Sequence, residues 1–332
     1  MERQDPPGAE PSPPEPPLRW HPLPRAILFV AVFVLVQIVV GVPALFIWAV
    51  VTDTNPMLMA QGVAAGGFIL FVNVCAAPVL GALTVLFLRR LDQKEVAAIG
   101  FRWPEGGRPA VRRQVVLSLA AVPALLGLWL AAVAAFGEVE LAGASAGVRE
   151  GPGAPLAGWL GPGAGAAAVT AFHLLGFLVQ GGVEEWVFRG YAFHALRERW
   201  SWASAAGATS LFFAVLHGLN PSVGPAGLLN TFLLGLLLAA AVELTGSLLA
   251  VTVLHGWWNF LLAVVLSVPV SGAEFFHLLD LELGGPDRLT GGAFGPEGSW
   301  ALTVLLVPLV LLAGHRIDGG TAEGTGDPGP SA

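Results

Sequence analysis

The sequence predicts an all-α, polytopic membrane helix bundle with about eight transmembrane helices, and three observations carry that expectation. Of 332 residues, 55% are hydrophobic and only 12% charged, with a mean hydropathy of +0.72, where a soluble domain carries about 25% charge. Apolar runs of the length a bilayer demands, about 20 residues, recur along the chain. The basic residues, finally, fall almost wholly in alternate connections between those runs.

Taken in order, residues 1–23 form a proline-rich tail (Pro6, Pro7, Pro11, Pro13, Pro14, Pro16, Pro17 and Pro22), too poor in apolar side chains to fold. It is a poor signal peptide, because the apolar run behind it is too long and lacks a small-residue cleavage site. The bundle is expected over 24–316, and a second disordered tail over 317–332. The spans are read as Ala26 to Val51, Gln61 to Leu88, Val115 to Phe136, Ala166 to Phe188, Ala203 to Leu219, Gly227 to Val242, Ser247 to Val268 and Trp300 to Ala313. All but two of the 16 Lys and Arg residues then lie on one side, with only Arg149 and Arg288 on the other. Both termini are therefore expected in the cytoplasm of a multi-pass cell-membrane protein. Gly137 to Gly165 and Pro269 to Ser299, left outside, are Gly-, Pro- and acid-rich and read as irregular surface connections. Trp20, Trp103 and Trp300 read as interface anchors.

Composition also narrows the function classes. A single Cys75 excludes an internal disulfide and a Cys-rich metal site. The net charge of −7 comes with no basic stripe interleaved with aromatics, so nucleic acid is not an expected partner. No internal repeat points to an inverted-repeat transporter.

Against this apolar background, Gly181-Gly182-Val183-Glu184-Glu185-Trp186-Val187-Phe188-Arg189-Gly190 stands out. Ionisable groups at membrane depth are costly and face a partner or a water-filled cavity. Three further polar groups lie in later spans: His217, and the pair His255 and Asn259. Glu185 and Arg189 are one helical turn apart, as are His255 and Asn259, while Glu184 is turned about 100° from Glu185. Arg189 can thus hold Glu185 as a structural ion pair while Glu184 looks elsewhere. Glu184 lies 16 residues before Trp200 and His217 lies 16 after Ser201. Unbroken helices would put both about 24 Å from the intervening turn. Asn259 comes to roughly 20 Å from its own turn at Thr245-Gly246, so four side chains from three helices converge in one layer. Ala166 to Arg199 would extend about 51 Å as helix, against a core of about 30 Å, which places the layer in the cytoplasmic half. Gly181-Gly182 is a candidate kink.

A carboxylate, two imidazoles and an amide support hydrolysis in two ways. Glu184 can activate a water, with His217 orienting it and His255 and Asn259 donating to the oxyanion. Alternatively, Glu184, His217 and His255 can ligate a zinc ion whose bound water attacks, with Glu185 as base. The residues do not choose between them.

Glu-Glu-x-x-x-Arg, Phe-x-x-x-His and His-x-x-x-Asn, in this order on successive spans, resemble the CPBP family, which groups CAAX prenyl endoproteases with bacteriocin-processing and bacteriocin-immunity proteins. The resemblance covers about Ala167 to Leu266, with all three motifs intact, and Ile99-Gly100-Phe101-Arg102 is reminiscent of bacterial members. It implies a catalytic core over 167–266. Glu184 looks like the catalytic glutamate, His217 its water-binding partner, and His255 with Asn259 the oxyanion pair. Glu185 and Arg189 match supporting positions. The expected function is an intramembrane endopeptidase cutting a peptide or protein substrate near the cytoplasmic face, in contact with membrane lipid. The alternative is a non-catalytic immunity or scaffold protein that binds a peptide or partner helix.

Blander readings stand beside these. His173 sits three turns before Glu184 and reads as a packed core histidine; His21, His194, His277 and His315 are not candidates. Trp257 and Trp258 can line a substrate groove, but packing is the preferred reading.

Overall fold

The computed structural model describes residues 20–52, 63–100, 107–144 and 162–323. Its long helices are α1 (Pro22–Thr52), α2 (Val63–Phe87), α3 (Gly107–Phe136), α4 (Pro162–Glu185), with short α5 (Phe193–Arg197), then α6 (Trp202–His217), α7 (Pro225–Thr245) and α8 (Leu248–Phe260). A four-residue α9 (Asp287–Thr290) precedes the last, α10 (Trp300–Glu323). Seven helical stretches among the described residues are long and apolar enough to cross a membrane. The chain is an all-α multi-pass membrane protein. The fifth expected span is the exception: α6 has 16 residues, about 24 Å of rise, short of a full crossing. Along α1, Leu35, Ile38, Val39, Val42, Phe46 and Val50 are exposed, an apolar face of the kind lipid covers and water does not tolerate.

One end of the bundle gathers the bases that the sequence assigned to one side. Arg25, 1% exposed on α1, bonds both Asp92 and Glu198; Lys94 reaches Glu198 at 2.8 Å, and Arg197 grips Glu243 at 2.8 and 3.3 Å. Arg25 is held because each buried charge has partners; left alone it would be strongly destabilising.

Three expectations change. First, 317–332 is not wholly a disordered tail. α10 continues to Glu323, because Ile317 is buried and Asp318 accepts from Trp202 Nε1 at 3.0 Å. Second, α1 begins at Pro22, inside the expected 1–23 tail, while residues 1–19 lie outside the described residues. Third, the loops expected to be irregular surface connections carry structure. β1 (Glu138–Ala144) pairs antiparallel with β2 (Leu279–Gly284), with Glu140 opposite Glu282 and Leu141 opposite Leu281. The two-residue alternation of Glu138-Val139-Glu140-Leu141 against Leu279-Asp280-Leu281-Glu282-Leu283 is a strand signal that composition conceals. The chain on both sides of β2 turns inward: Phe275, Phe276, Phe294 and Glu297 are buried, and Phe275 lies 4.8 Å from the Phe177 ring of α4. Aromatic rings gain most from leaving water, and they draw the loop onto the bundle. Asn230 of α7 then fastens it, donating to the carbonyls of Glu297 (2.8 Å) and Ser299 (2.7 Å) while accepting from Thr303.

Candidate active site

The site is built at the crossing of α4 and α8, and glycine decides how close these helices come. A Cβ on Gly256 would stand 2.8 Å from Leu178 Cα and 2.9 Å from the Phe177 carbonyl; one on Gly181 would stand 3.0 Å from Gly256 N. Small residues at a membrane crossing let backbones approach, and here they bring the end of α4 against His255. The pair Gly181-Gly182, a candidate kink from sequence, is therefore a contact face, and α4 runs unbroken through it to Glu185. The helix changes one residue later, in a π turn over Trp186–Ala192 that carries Arg189. Single-turn π segments occur mostly at functional sites.

Glu185 and Arg189 are both fully buried and joined at 3.1 Å. The same Glu185 Oε1 lies 2.8 Å from His255 Nδ1. A carboxylate can only accept, so Nδ1 carries the proton and Nε2 is left for other use. Glu185 thereby locks the His255 ring. The Arg189 guanidinium lies 4.5 Å over the Phe213 ring, and Phe213 packs 4.3 Å from the His217 ring and 6.1 Å from His255. Gly235 of α7 makes room for this, since a Cβ there would meet Arg189 Nη2 at 2.9 Å. Arg189 acts as the wedge behind the two imidazoles, and neither it nor Glu185 lines the cavity in front.

That cavity has a volume of about 1030 Å³ and is walled by Gln180, Glu184, His217, His255, Trp258 and Asn259 among its polar and aromatic residues. Its remaining wall is mainly Leu, Val, Ala and Phe from α1, α2, α3, α7 and α10, and it reaches from Ser271 and Glu297 to Arg316. Four of the six site residues read from sequence, Glu184, His217, His255 and Asn259, thus border one space. Glu184 Oε1 accepts from Gln180 at 2.5 Å; Oε2 has no hydrogen-bond partner among the described residues and lies 3.8 Å from His255 Nε2. His217 Nδ1 lies 2.8 Å from the Phe213 carbonyl, which makes Nδ1 the protonated nitrogen and Nε2 an acceptor. Asn259 spends one N–H on Gln180 Oε1 at 2.8 Å and keeps the other.

Three residues here were not read as functional from sequence. Gln180 connects Glu184 to Asn259, and its only signal was an amide one turn before a glutamate in an apolar run. Trp258, for which packing is preferred from sequence over lining a groove, is a cavity wall whose Nε1 donates to Glu297 at 3.0 Å. Glu297, in a loop expected outside, is 6% exposed and also accepts from Ser271 N at 2.8 Å. His173 is the packed histidine expected, bonded to the Val169 carbonyl at 2.8 Å and ringed by Phe172, Phe177 and Phe276. Of the loop at 99–102, Phe101 and Arg102 lie outside the described residues; Gly100 caps α8 by accepting from Leu248 N at 3.3 Å.

A zinc ion held by Glu184, His217 and His255 would need its nitrogen and oxygen ligands about 2.0–2.2 Å from one point. Among the described residues no three His, Cys, Asp or Glu side chains form such a group. His255 keeps Nε2 available, and its Nδ1–H on Glu185 is the carboxylate hold that metal-bound histidines commonly have, while Glu185, the base in that version, stands outside the cavity wall. As they stand, the three side chains are not gathered about one point, and no step below runs through a metal.

No curated protein matches the chain. A family model does: residues 166–261, which hold all three motifs and the glycine crossing, match that of type II CAAX prenyl endopeptidases, Rce1-like.

Proposed function

We propose that this protein is an intramembrane endopeptidase that hydrolyses a peptide bond with a water activated by Glu184. The supporting observation is that Glu184, whose Oε2 has no hydrogen-bond partner among the described residues, lines one cavity with His217, His255 and Asn259. In the proposed step, the water donates one hydrogen to Glu184 Oε2 and the other to His217 Nε2. Its oxygen attacks the scissile carbonyl as the first proton passes to Glu184. The negative oxygen of the tetrahedral intermediate takes the free N–H of Asn259 and, in the imidazolium form, His255 Nε2–H. Collapse breaks the C–N bond, and Glu184 returns its proton to the leaving amine. The wall is apolar on most sides, which keeps bulk water from competing with these fixed dipoles.

The substrate is a peptide or protein chain at the membrane, reached from the basic end, which we take as cytoplasmic by the positive-inside rule. A prenylated CAAX peptide is the probe that the matched family suggests. Purified full-length protein and its Glu184→Gln variant, assayed in nanodiscs on a fluorescence-quenched farnesylated CAAX peptide, test the proposal. We expect wild-type cleavage that persists under a zinc chelator and a loss of at least about 10³-fold on substitution, with an unchanged melting profile. A folded Glu184→Gln that cuts at the wild-type rate would refute the glutamate mechanism. Chelator-sensitive cleavage restored by zinc would refute its metal independence.

A further inference from the structure

Gln180 sits on α4 one turn before Glu184, at the glycine crossing with α8, and its amide joins Glu184 to Asn259 across that crossing. Its Nε2 donates to Glu184 Oε1 at 2.5 Å, and its Oε1 accepts from Asn259 Nδ2 at 2.8 Å. We infer that Gln180 is a positioning residue that couples the general base on α4 to the oxyanion amide on α8, an inference that rests on the proteolytic reading above.

The geometry makes two selections that the catalytic groups cannot make for themselves. Tying Oε1 of Glu184 leaves Oε2 as the unpartnered oxygen, 3.8 Å from His255 Nε2. Tying one N–H of Asn259 fixes the rotation of its amide, so the second N–H has one direction to point. Without the bridge, the Glu184 carboxylate is free to turn, and Asn259 can present either end of its amide. An amide suits this place because it carries a donor and an acceptor on separate atoms and no charge. A carboxylate there would repel Glu184, a lysine or arginine would lack the acceptor for Asn259, and an apolar side chain would offer neither bond. The i, i+4 spacing supplies the stacking over Glu184, and Gly181 with Gly256 supplies the reach to Asn259.

The test has a spectroscopic arm and a kinetic arm. Full-length protein in nanodiscs, labelled with ¹⁵N-glutamine, has its Gln180 side-chain amide signal identified by its disappearance in Gln180→Leu. We expect Glu184→Ala and Asn259→Ala each to move that signal, and His173→Ala to leave it in place. A signal indifferent to Glu184→Ala overturns the bridge, whether or not the protein cleaves the farnesylated peptide. Absent wild-type cleavage would instead count against the proteolytic reading alone. In the kinetic arm, Gln180→Leu, with unbranched Gln180→Met as the variant that packs most like glutamine, lowers kcat about 10- to 100-fold, as misplacement of catalytic groups does, with KM within about twofold of wild type. A folded variant with wild-type kcat, or one in which KM alone rises, overturns the positioning role.

Discussion

At the residue scale, adjacent glutamates do opposite jobs. Glu184 borders the cavity with one oxygen unpartnered, whereas Glu185, at 0% exposure, accepts from Arg189 and His255 together. Removing one partner of a buried ion pair leaves an uncompensated charge, at a cost of about 3–5 kcal/mol. Glu185→Ala is therefore expected to destabilise the protein by that order, seen in a detergent melting curve, while Glu184→Gln leaves stability near wild type. Replacing both partners with apolar side chains, Glu185→Met with Arg189→Met, should restore much of the stability. Activity should stay low, because His255 has lost the acceptor that holds its ring. Recovery of both together would show that His255 needs no such hold. The i, i+4 rule had already paired Glu185 with Arg189 from the sequence. Nothing in the spacing announced that His255 would join them, because that bond spans 70 residues.

At the element scale, the α4–α8 crossing is set by backbone contact, so the glycines there should be the least tolerant of a methyl group. Gly256→Ala places a Cβ 2.8 Å from Leu178 Cα, and backbone cannot swing aside as a side chain can. Overpacking of this kind costs about 1–3 kcal/mol. The expected outcome is a lower melting temperature together with loss of cleavage, since parted helices separate His255 from Glu184 and Glu185. Gly207→Ala on α6 is the control: nothing lies within 4 Å of the added carbon, and stability should be unchanged or slightly raised. Equal damage from both substitutions would sink the close-approach argument. The same scale explains the misread loops. Charge and glycine content said surface, but alternation and the aromatic residues said ribbon and core, and burial outweighed composition.

For the whole molecule, the ion pairs of Arg25, Lys94 and Arg197 mark one end and the β1–β2 ribbon the other. Orientation in the membrane is read from these bases. With Cys75 replaced by Ala, Arg90→Cys should react with an impermeant maleimide in inside-out vesicles, and Leu141→Cys, 60% exposed on the ribbon, only in right-side-out ones. The reverse pattern would overturn a cytoplasmic basic end. Cavity and ends also fit together: the wall extends to Arg316 at the basic end and closes at Ser271 and Glu297, where the inward-folded loop is pinned to α7, α8 and α10.

The amino-acid sequence by itself determined the membrane class, the number and order of apolar helices, the sorting of bases, and the gathering of Glu184, His217, His255 and Asn259 at one space. These follow from local quantities, transfer free energy per residue and rise per residue, which need no knowledge of neighbours. Only the tertiary structure decided what each polar group touches. Which glutamate faces the cavity, which imidazole nitrogen is free, that Gln180 joins Glu184 to Asn259, and that a distant loop brings Glu297 to Trp258 depend on how closely helices approach and on which side chain fills each gap. Those are set by packing between segments far apart in the chain, where a single glycine on one helix chooses the partner on another.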